Sequence, residues 1–504
     1  MQIKAIISKT GYINSSIMTE NYTLIEVVSF GIDEYGCNTW VMMSDGKIYM
    51  FGSGVAGIDD YEYPTMLIED STSNMVWATT RQCEGMLFID ENNQLWWFGD
   101  ADWQSTLDGD GHYSENIELG ITSIDFVNLV SAVTPPILSK VSKGQYASGG
   151  IDTDGKLWIW GSDGGGWGCL GQNYTGWDND YIPIEIWIGL RRGETNSGWT
   201  QIYSGWSRVM GIKDGDVWFW GPNIGGSGGT GCNQYLTGYY GWKWTLSAGG
   251  VGNEYYLEKL AGGDPEIIEP TLYRTSYPVY SYLSSGTIGN LALDEWTWGD
   301  NDGLGFDTIY VRLSNDGDPD SGNNYSAQPQ YNAPVKVTDT GDYVKVMCQE
   351  YTTIALKSDG TLWGWGDNYR GSMAHDPATC TDYDAIDTTP PITWCEHWTP
   401  KDITPLGKTI VDFSAGYYHI IALEADGTAW AVGYDDYEGC LGLGSYQGSV
   451  YTWTEIPGIK FQAIECHYSN SIGFGVDGKL YVWGYHYGLD GFTPTHWDFG
   501  GYWS

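Results

Sequence analysis

Positive charge is scarce in this chain. Lys plus Arg number 23 against 64 Asp plus Glu, a formal net charge of −41, and such a surface repels a phosphate backbone over most of its area. Nucleic acid is therefore not an expected partner. Net charge bears on solubility before function, so the acidity reads first as a device that keeps an exposed protein in solution. The nine Cys include no Cys-x-x-Cys pair and are odd in number, which argues against a disulfide scaffold in a chain long enough to build a core without staples. No run approaches about 18 apolar residues, so a membrane-spanning helix is not expected. The start, Met1-Gln2-Ile3-Lys4-Ala5-Ile6-Ile7-Ser8, lacks the apolar core of a signal peptide, and the expectation is a soluble protein outside the general secretory route.

Aromatics and glycine are abundant instead. The 27 Trp, 38 Tyr and 71 Gly rule out a solvated coil, and the glycines follow no three-residue period, so collagen is excluded. They punctuate short β-branched and aromatic runs, the pattern of an all-β chain with many tight turns. Self-comparison finds one repeated unit, an apolar strand, an Asp-Gly turn, a second strand rich in Trp, then Gly. Its clearest copies are Asp154-Gly155-Lys156-Leu157-Trp158-Ile159-Trp160-Gly161, Asp359-Gly360-Thr361-Leu362-Trp363-Gly364-Trp365-Gly366 and Asp477-Gly478-Lys479-Leu480-Tyr481-Val482-Trp483-Gly484. Asp45-Gly46, Asp214-Gly215 and Asp426-Gly427 open three more. Asn92-Asn93 precedes a degenerate copy, and Leu293-Asp294-Glu295-Trp296-Thr297-Trp298-Gly299 forms another. Asp, Asn and Gly tolerate φ > 0, so each copy reads as a hairpin with a two-residue turn. Gly-rich corners follow, as in Gly168-Cys169-Leu170-Gly171 and Gly439-Cys440-Leu441-Gly442.

The terminal glycines recur with a mean period of about 62 residues, enough for one small sheet per repeat. Small antiparallel sheets of this size protect their edges best by closing into a radial ring. The expected fold is all-β, a single β-propeller over residues 1–504 with about eight four-stranded blades, seven being the alternative. The fifth copy is the doubtful one, because the interval before it is the longest. Insertions are expected at about 222–284 and 370–410.

The strand, Asp-Gly, Trp-Gly and Gly-rich corner resemble the regulator of chromosome condensation type repeat, over nearly the whole chain. Members of that family are commonly seven-bladed. The resemblance implies a binding platform: relatives act in nucleotide exchange on a small GTPase with chromatin binding, in ubiquitin ligase accessory domains, and in inhibition of a secreted β-lactamase. Fold alone does not choose among these. No residue here matches an exchange-factor site, and the acidic balance with no basic tail counts against chromatin.

Twelve tryptophans fall in the hairpin strands, where they fill the space between sheets. Seven others, Trp103, Trp167, Trp177, Trp206, Trp242, Trp244 and Trp398, stand among Gly, Asp and Asn, and are expected to line grooves that stack on a glycan or anchor a protein partner. Asp316-Gly317-Asp318-Pro319-Asp320 has Ala327 where a calcium loop carries its bidentate Glu, so it and Asp300-Asn301-Asp302-Gly303 read as solvated turns. His419 reads as a hydrogen-bonded strand histidine. His375-Asp376 and Cys395-Glu396-His397 share one insert, but their spacing matches no standard zinc finger, and neither metal nor cofactor is expected.

No P-loop, nucleophile elbow or His-Glu-x-x-His appears, and no catalytic residue is assigned. The functional expectation is a non-catalytic binding or structural propeller displayed on a larger assembly such as a virus or phage particle, touching protein or glycan partners through face loops. Two alternatives stand beside it, an intracellular regulatory propeller that binds a small GTPase-like protein, and a polysaccharide-acting enzyme with loop carboxylates in a Trp-lined cleft.

Overall fold

The computed structural model describes residues 2–5, 18–21, 27–32, 38–44, 46–52, 61–66, 75–80, 85–93, 95–99, 122–123, 136–162, 168–172, 179–186, 195–205, 207–223, 227–229, 242–247, 252–259, 271–274, 281–282, 284–299, 308–313, 316, 327–349, 351–380, 383, 385–386, 392, 394–435, 437–485 and 491–496. Among these, everything regular is β-strand apart from two short 3-10 turns, and no helix is long and apolar enough to cross a membrane. Seven sheets each contain a four-stranded antiparallel meander in chain order, with two further strands on the sheet of blade four and one on that of blade five. Blade one runs through Val27–Ile32, Asn38–Met43, Ile48–Gly52 and Tyr61–Met66. Blade four runs through Trp199–Ser204, Val209–Lys213, Asp216–Pro222 and Ala327–Lys336. Blade five holds Tyr343–Cys348, Thr352–Lys357, Leu362–Asp367 and Cys395–Asp402. Blade six holds Ile410–Ala415, His419–Glu424, Ala429–Tyr434 and Ser449–Glu455, and blade seven Phe461–His467, Asn470–Gly475, Leu480–Gly484 and Thr495–His496.

The ring closes on itself. Ile32, Val41 and Met43 of blade one share a buried cluster with Ile472, Leu480 and Val482 of blade seven. Neighbouring blades are also tied by a recurrent hydrogen bond, in which the carbonyl of the Asp-Gly glycine accepts from the first strand of the next blade. Gly155 accepts from Trp199 (3.0 Å), Gly215 from Tyr343 (2.8 Å), Gly360 from Ile410 (3.0 Å) and Gly427 from Phe461 (2.8 Å).

The second of these bonds decides the blade number. Gly215 of blade four reaches Tyr343 directly, so the Trp296–Gly299 copy lies outside the ring. It belongs to a five-stranded sheet of Trp242–Leu246, Tyr255–Lys259, Ser284–Ser285, Glu295–Gly299 and Thr308–Arg312, inserted between the third and fourth strands of blade four. The favoured count of eight is thus corrected to seven, and the insertion reaches well past residue 284. Trp244, Trp296, Ile309, Val311 and Leu313 of the inserted sheet join one buried cluster with Phe219 and Trp365 of the ring, which explains why its sequence imitates a blade strand: it has to bury an apolar face as a blade does.

The turns also differ from expectation. Only Asp214 (φ +53°) and Gly215 (φ +83°) form the two-residue turn. In the Asp-Gly copies at 154–155, 359–360, 426–427 and 477–478 only glycine is left-handed, as at Gly360, whose N–H donates to Lys357 while Lys357 N–H donates to Thr361. This is a type I turn followed by a left-handed residue. Asp is selected there by its side chain, since the Asp359 carboxylate accepts from both the backbone N–H (2.9 Å) and the hydroxyl (2.7 Å) of Thr361, a local bond that mimics a backbone turn. The same contacts join Asp426 to Thr428.

The glycine closing each Trp strand has its own cause. Gly433 sits at φ +113° on the third strand of blade six, where pairing with the fourth strand slips by two residues, a bulge that only glycine enters without strain. A Cβ there would lie 2.2 Å from the carbonyl oxygen of Tyr418. The hairpin tryptophans pack between blades as expected: Trp160, Trp220, Trp365 and Trp483 are fully buried. Trp220 donates its indole N–H to Cys169 O (3.0 Å) and Trp483 to Cys440 O (2.9 Å), each in the Gly-Cys-Leu-Gly corner of the preceding blade.

Candidate protein-interaction face

An antiparallel meander puts the loop between strands one and two and the corner between strands three and four at one end of every blade, and the Asp-Gly turn at the other. Blades five, six and seven place tyrosines at both positions of the first end. Tyr351, Tyr417, Tyr418 and Tyr468 come from strand-one loops. Tyr434 ends the third strand of blade six, and Tyr369, Arg370, Tyr437 and Tyr446 come from corners after the third strand.

The rings form one continuous chain across three blades. Tyr417 meets Tyr351 at 6.3 Å between centroids, Tyr418 at 4.2 Å and Tyr468 at 5.2 Å. Tyr418 meets Tyr369 at 4.8 Å and Tyr434 at 6.5 Å. Tyr437 stacks on Tyr446 at 4.6 Å with 13° between planes. The Arg370 guanidinium lies 4.6 Å from the Tyr434 ring centre and 5.3 Å from that of Tyr369, and its Nε–H donates to the Tyr369 hydroxyl (3.0 Å). Cation–π contact of this kind fixes both partners. Burial raises the hydroxyl pKa of Tyr434 above its ordinary value, and the hydrogen bond it donates to Tyr446 adds to the effect.

Three residues of this group, Arg370 (φ +50°), Tyr437 (φ +61°) and Tyr468 (φ +46°), hold left-handed backbone angles. Bulky side chains rarely adopt that conformation, and it persists where surrounding structure over-determines it, commonly at functional sites. Tyr437, Tyr446 and Tyr468 are also the exposed members, at 66%, 40% and 36%. The result is a rigid, half-buried aromatic surface with one fixed cation, the composition of an interface hot spot.

The sequence-picked tryptophans fare differently. Trp244 and Trp398 are strand residues, 2% and 0% exposed, and Trp398 donates its indole N–H to Glu396 (2.6 Å). Neither lines a groove: strand alternation turns each into the core. Trp242 also lies in a strand rather than a loop. Trp103, Trp167, Trp177 and Trp206 lie outside the described residues. Asp316 is tied to Arg312 (2.8 Å) and holds its carboxyl below the usual range through that bond, as a structural turn does, while Asp300-Asn301-Asp302-Gly303 lies outside the described residues. His419 bonds Ser471 of blade seven (3.0 Å), the structural role expected of it. The tyrosine chain escaped sequence reading because its members come from separate loops up to 117 residues apart (351 to 468). The signal was the repeated placement of Tyr just before the second strand, at 351, 417–418 and 468.

Comparison with known proteins agrees with this architecture. The Regulator of chromosome condensation (RCC1) repeat model matches residues 350–372, which span the second strand, Asp-Gly turn and Trp strand of blade five and its Tyr369–Arg370 corner. The chain is similar to propellers of the regulator of chromosome condensation type. The Regulator of chromosome condensation of Xenopus laevis is 26% identical over 144 residues, 28% of this chain and 30% of that protein. The RCC1 domain-containing protein RUG3, mitochondrial, of Arabidopsis thaliana is 24% identical over 352 residues, 68% of this chain and 64% of that one. The matches thus span less than two thirds of either curated relative. Among solved structures, Prp20p of Saccharomyces cerevisiae, which binds Gsp1p and histones, shares the fold with a TM-score of 0.55 at 12% identity, covering 89% of this chain and 82% of that one.

Proposed function

We propose that this chain is a binding propeller whose tyrosine–arginine face docks a folded protein partner with an apolar centre and a basic rim. The observation that carries the reading is the continuous ring chain from Tyr351 to Tyr446, held by left-handed backbone and clamped by Arg370. Tyr and Arg are the residues that dominate interface energetics, because they bury large area at low entropic cost. The −41 net charge complements a basic partner and speeds its encounter. Prp20p, with its binding to Gsp1p and histones, supports the regulatory alternative over display on a particle surface. The glycan reading loses ground with the burial of Trp244 and Trp398.

Tyr437→Ala with Tyr446→Ala removes the stacked, exposed pair and leaves the core intact. Titration calorimetry with Gsp1p and with core histones as probes should show binding by at least one, weakened about tenfold or more in the double variant, since truncated hot-spot residues cost roughly 2 kcal/mol or more. Equal affinity of variant and wild type would exclude this face.

A further inference from the structure

Between the third and fourth strands of blade five the chain makes a detour with chemistry that the tyrosine face does not use. A 3-10 turn at Pro377–Thr379, capped by the Asp376 carboxylate on Ala378 N–H (2.9 Å), reverses the chain so that His375 and Cys380 face the outer strand. On that strand Cys395 and His397 are two residues apart and therefore point to the same side. The four side chains converge, with all four candidate ligand atoms within 4.8 Å of one another. Cys395 and His397 are fully buried, His375 and Cys380 half-buried.

The distances have a definite geometric meaning. Four ligands around a tetrahedral zinc at about 2.0–2.1 Å for nitrogen and about 2.3 Å for sulfur stand about 3.3 Å apart for two nitrogens and about 3.6 Å apart for nitrogen and sulfur. In the cluster His375 Nε2 lies 3.1 Å from His397 Nε2. Cys380 Sγ lies 3.6 Å from His397 Nε2, and Cys395 Sγ lies 3.7 Å from His375 Nε2 and 4.0 Å from His397 Nε2. These four edges lie within about 0.4 Å of those of a coordination tetrahedron. Both cysteines are free thiols.

The surroundings are arranged as around a metal ligand set. His375 Nδ1 faces the carbonyl of Met373 (3.1 Å). A carbonyl only accepts, so the proton sits on Nδ1 and the Nε2 lone pair is turned into the cluster. Asn368, fully buried, donates from Nδ2 both to His375 O (3.0 Å) and to Cys395 Sγ (3.6 Å), the outer bond that steadies a thiolate ligand. His397 Nδ1 is buried with no partner among the described residues, so only contacts at Nε2 orient that ring by hydrogen bonding.

We infer that His375, Cys380, Cys395 and His397 form a closed Cys2His2 site for a zinc ion that staples the blade-five insert to its outer strand. Two soft sulfurs with two imidazoles in tetrahedral array select zinc over the hard cations. Four protein ligands leave no position for substrate, so the site is structural. Its first ligand, His375, stands five residues beyond Arg370, and the 3-10 turn Tyr369–Gly371 that carries Arg370 packs against blade six at Tyr451. The inference is independent of what the tyrosine face binds.

The test uses the full chain purified after growth with zinc. Metal analysis should find one zinc per chain, and Cys380→Ser, at the half-buried edge of the site, should weaken binding at least about tenfold. Should that variant fail to fold, metal-stripped wild type, with its blades monitored by far-ultraviolet circular dichroism, is titrated with Co2+. Tetrahedral ligand-field bands plus thiolate charge transfer, in one-to-one stoichiometry, are expected. Three results would overturn the inference: no zinc and no tetrahedral Co2+ spectrum, a Cys380–Cys395 disulfide in the non-reduced protein, or full zinc retention by Cys380→Ser.

Discussion

A matched pair of glycine substitutions tests the account of the repeat signature. Gly433 and Gly444 both hold positive φ, at +113° and +90°, and stand eleven residues apart in blade six. They differ in surroundings: a Cβ on Gly433 would lie 2.2 Å from Tyr418 O, whereas one on Gly444 would meet nothing within 4 Å. Alanine at Gly444 therefore incurs the conformational cost of positive φ, about 1–2 kcal/mol, less about 0.4–1 kcal/mol returned by stiffening the unfolded chain. The net is within about 1.5 kcal/mol of wild type. Alanine at Gly433 adds an overlap against backbone, which no rotamer change relieves, and overpacking of this kind costs about 1–3 kcal/mol more. The loss should reach about 2–4 kcal/mol. Urea and thermal midpoints of the two variants, measured side by side, read the difference directly. Equal shifts for the two would refute the claim that close approach to Tyr418, rather than backbone angle alone, fixes glycine at the end of the Trp strand.

Other consequences follow from single contacts. Trp483→Ala should destabilise by about 3–5 kcal/mol, and Trp483→Phe by much less, about 1 kcal/mol from the indole bond, because Ser471 still bonds the Cys440 carbonyl at 2.9 Å; similar losses in urea melts would show that packing does not dominate at this position. Two buried groups should oppose each other with pH. Burial and the neighbouring His467 lower His419 to about 3, so its neutral form supports the fold fully above the ordinary pKa of about 6.5 and that support is lost as pH falls toward 3. Glu465, which lines the central cavity, is pushed up to about 7 by burial against the pull of Lys345, so the fold favours its protonated form and stability falls as pH rises from about 4.5 to 7. Where these ranges overlap, from about pH 4.5 to 6.5, the opposing slopes cancel and wild-type stability should be nearly flat; His419→Gln should show it falling with rising pH and Glu465→Gln should show it rising, and parallel profiles for all three proteins would refute both assignments.

The blades were legible in the sequence because each is specified locally. The Asp-Gly turn, the Trp strand and the closing glycine lie within about ten residues, and each has a cause that acts at that range: a carboxylate on the next N–H groups, an indole between sheets, a bulge. Blade number was not legible, for the same reason. Glu295–Gly299 carries the Trp strand and the closing glycine of a blade without its Asp-Gly turn, and the bond from Tyr343 to Gly215, more than a hundred residues apart, shows that the ring passes it by. Local composition does not place the tryptophans, because strand alternation decides which way each one points. Trp398 is surrounded by polar residues in sequence, yet it takes the inward position of a strand. The cysteine and histidine cluster escaped because its members follow no motif spacing, and Cys380 joins them only through the reversal at Pro377.

These misses share a physical origin in the two unlike ends of a blade. At the Asp-Gly end the glycine carbonyl is committed to the next blade, and a longer loop there would break the bond that spaces the ring. At the opposite end the corner carbonyls of Cys169 and Cys440 accept from Trp220 and Trp483 of the next blade, a tie to one short segment that leaves the rest of the connection open to added chain. Extra chain between strands three and four lengthens a loop without moving either strand, and loop length costs little in closure entropy. The inserted five-stranded sheet of blade four, the His375–His397 cluster of blade five and the Tyr434–Tyr446 corner of blade six all occupy that one connection. A scaffold that fixes one end so tightly leaves the other as the place where new chemistry accumulates, which is why the tyrosine face and the metal-ligating side chains stand on the same side of the ring.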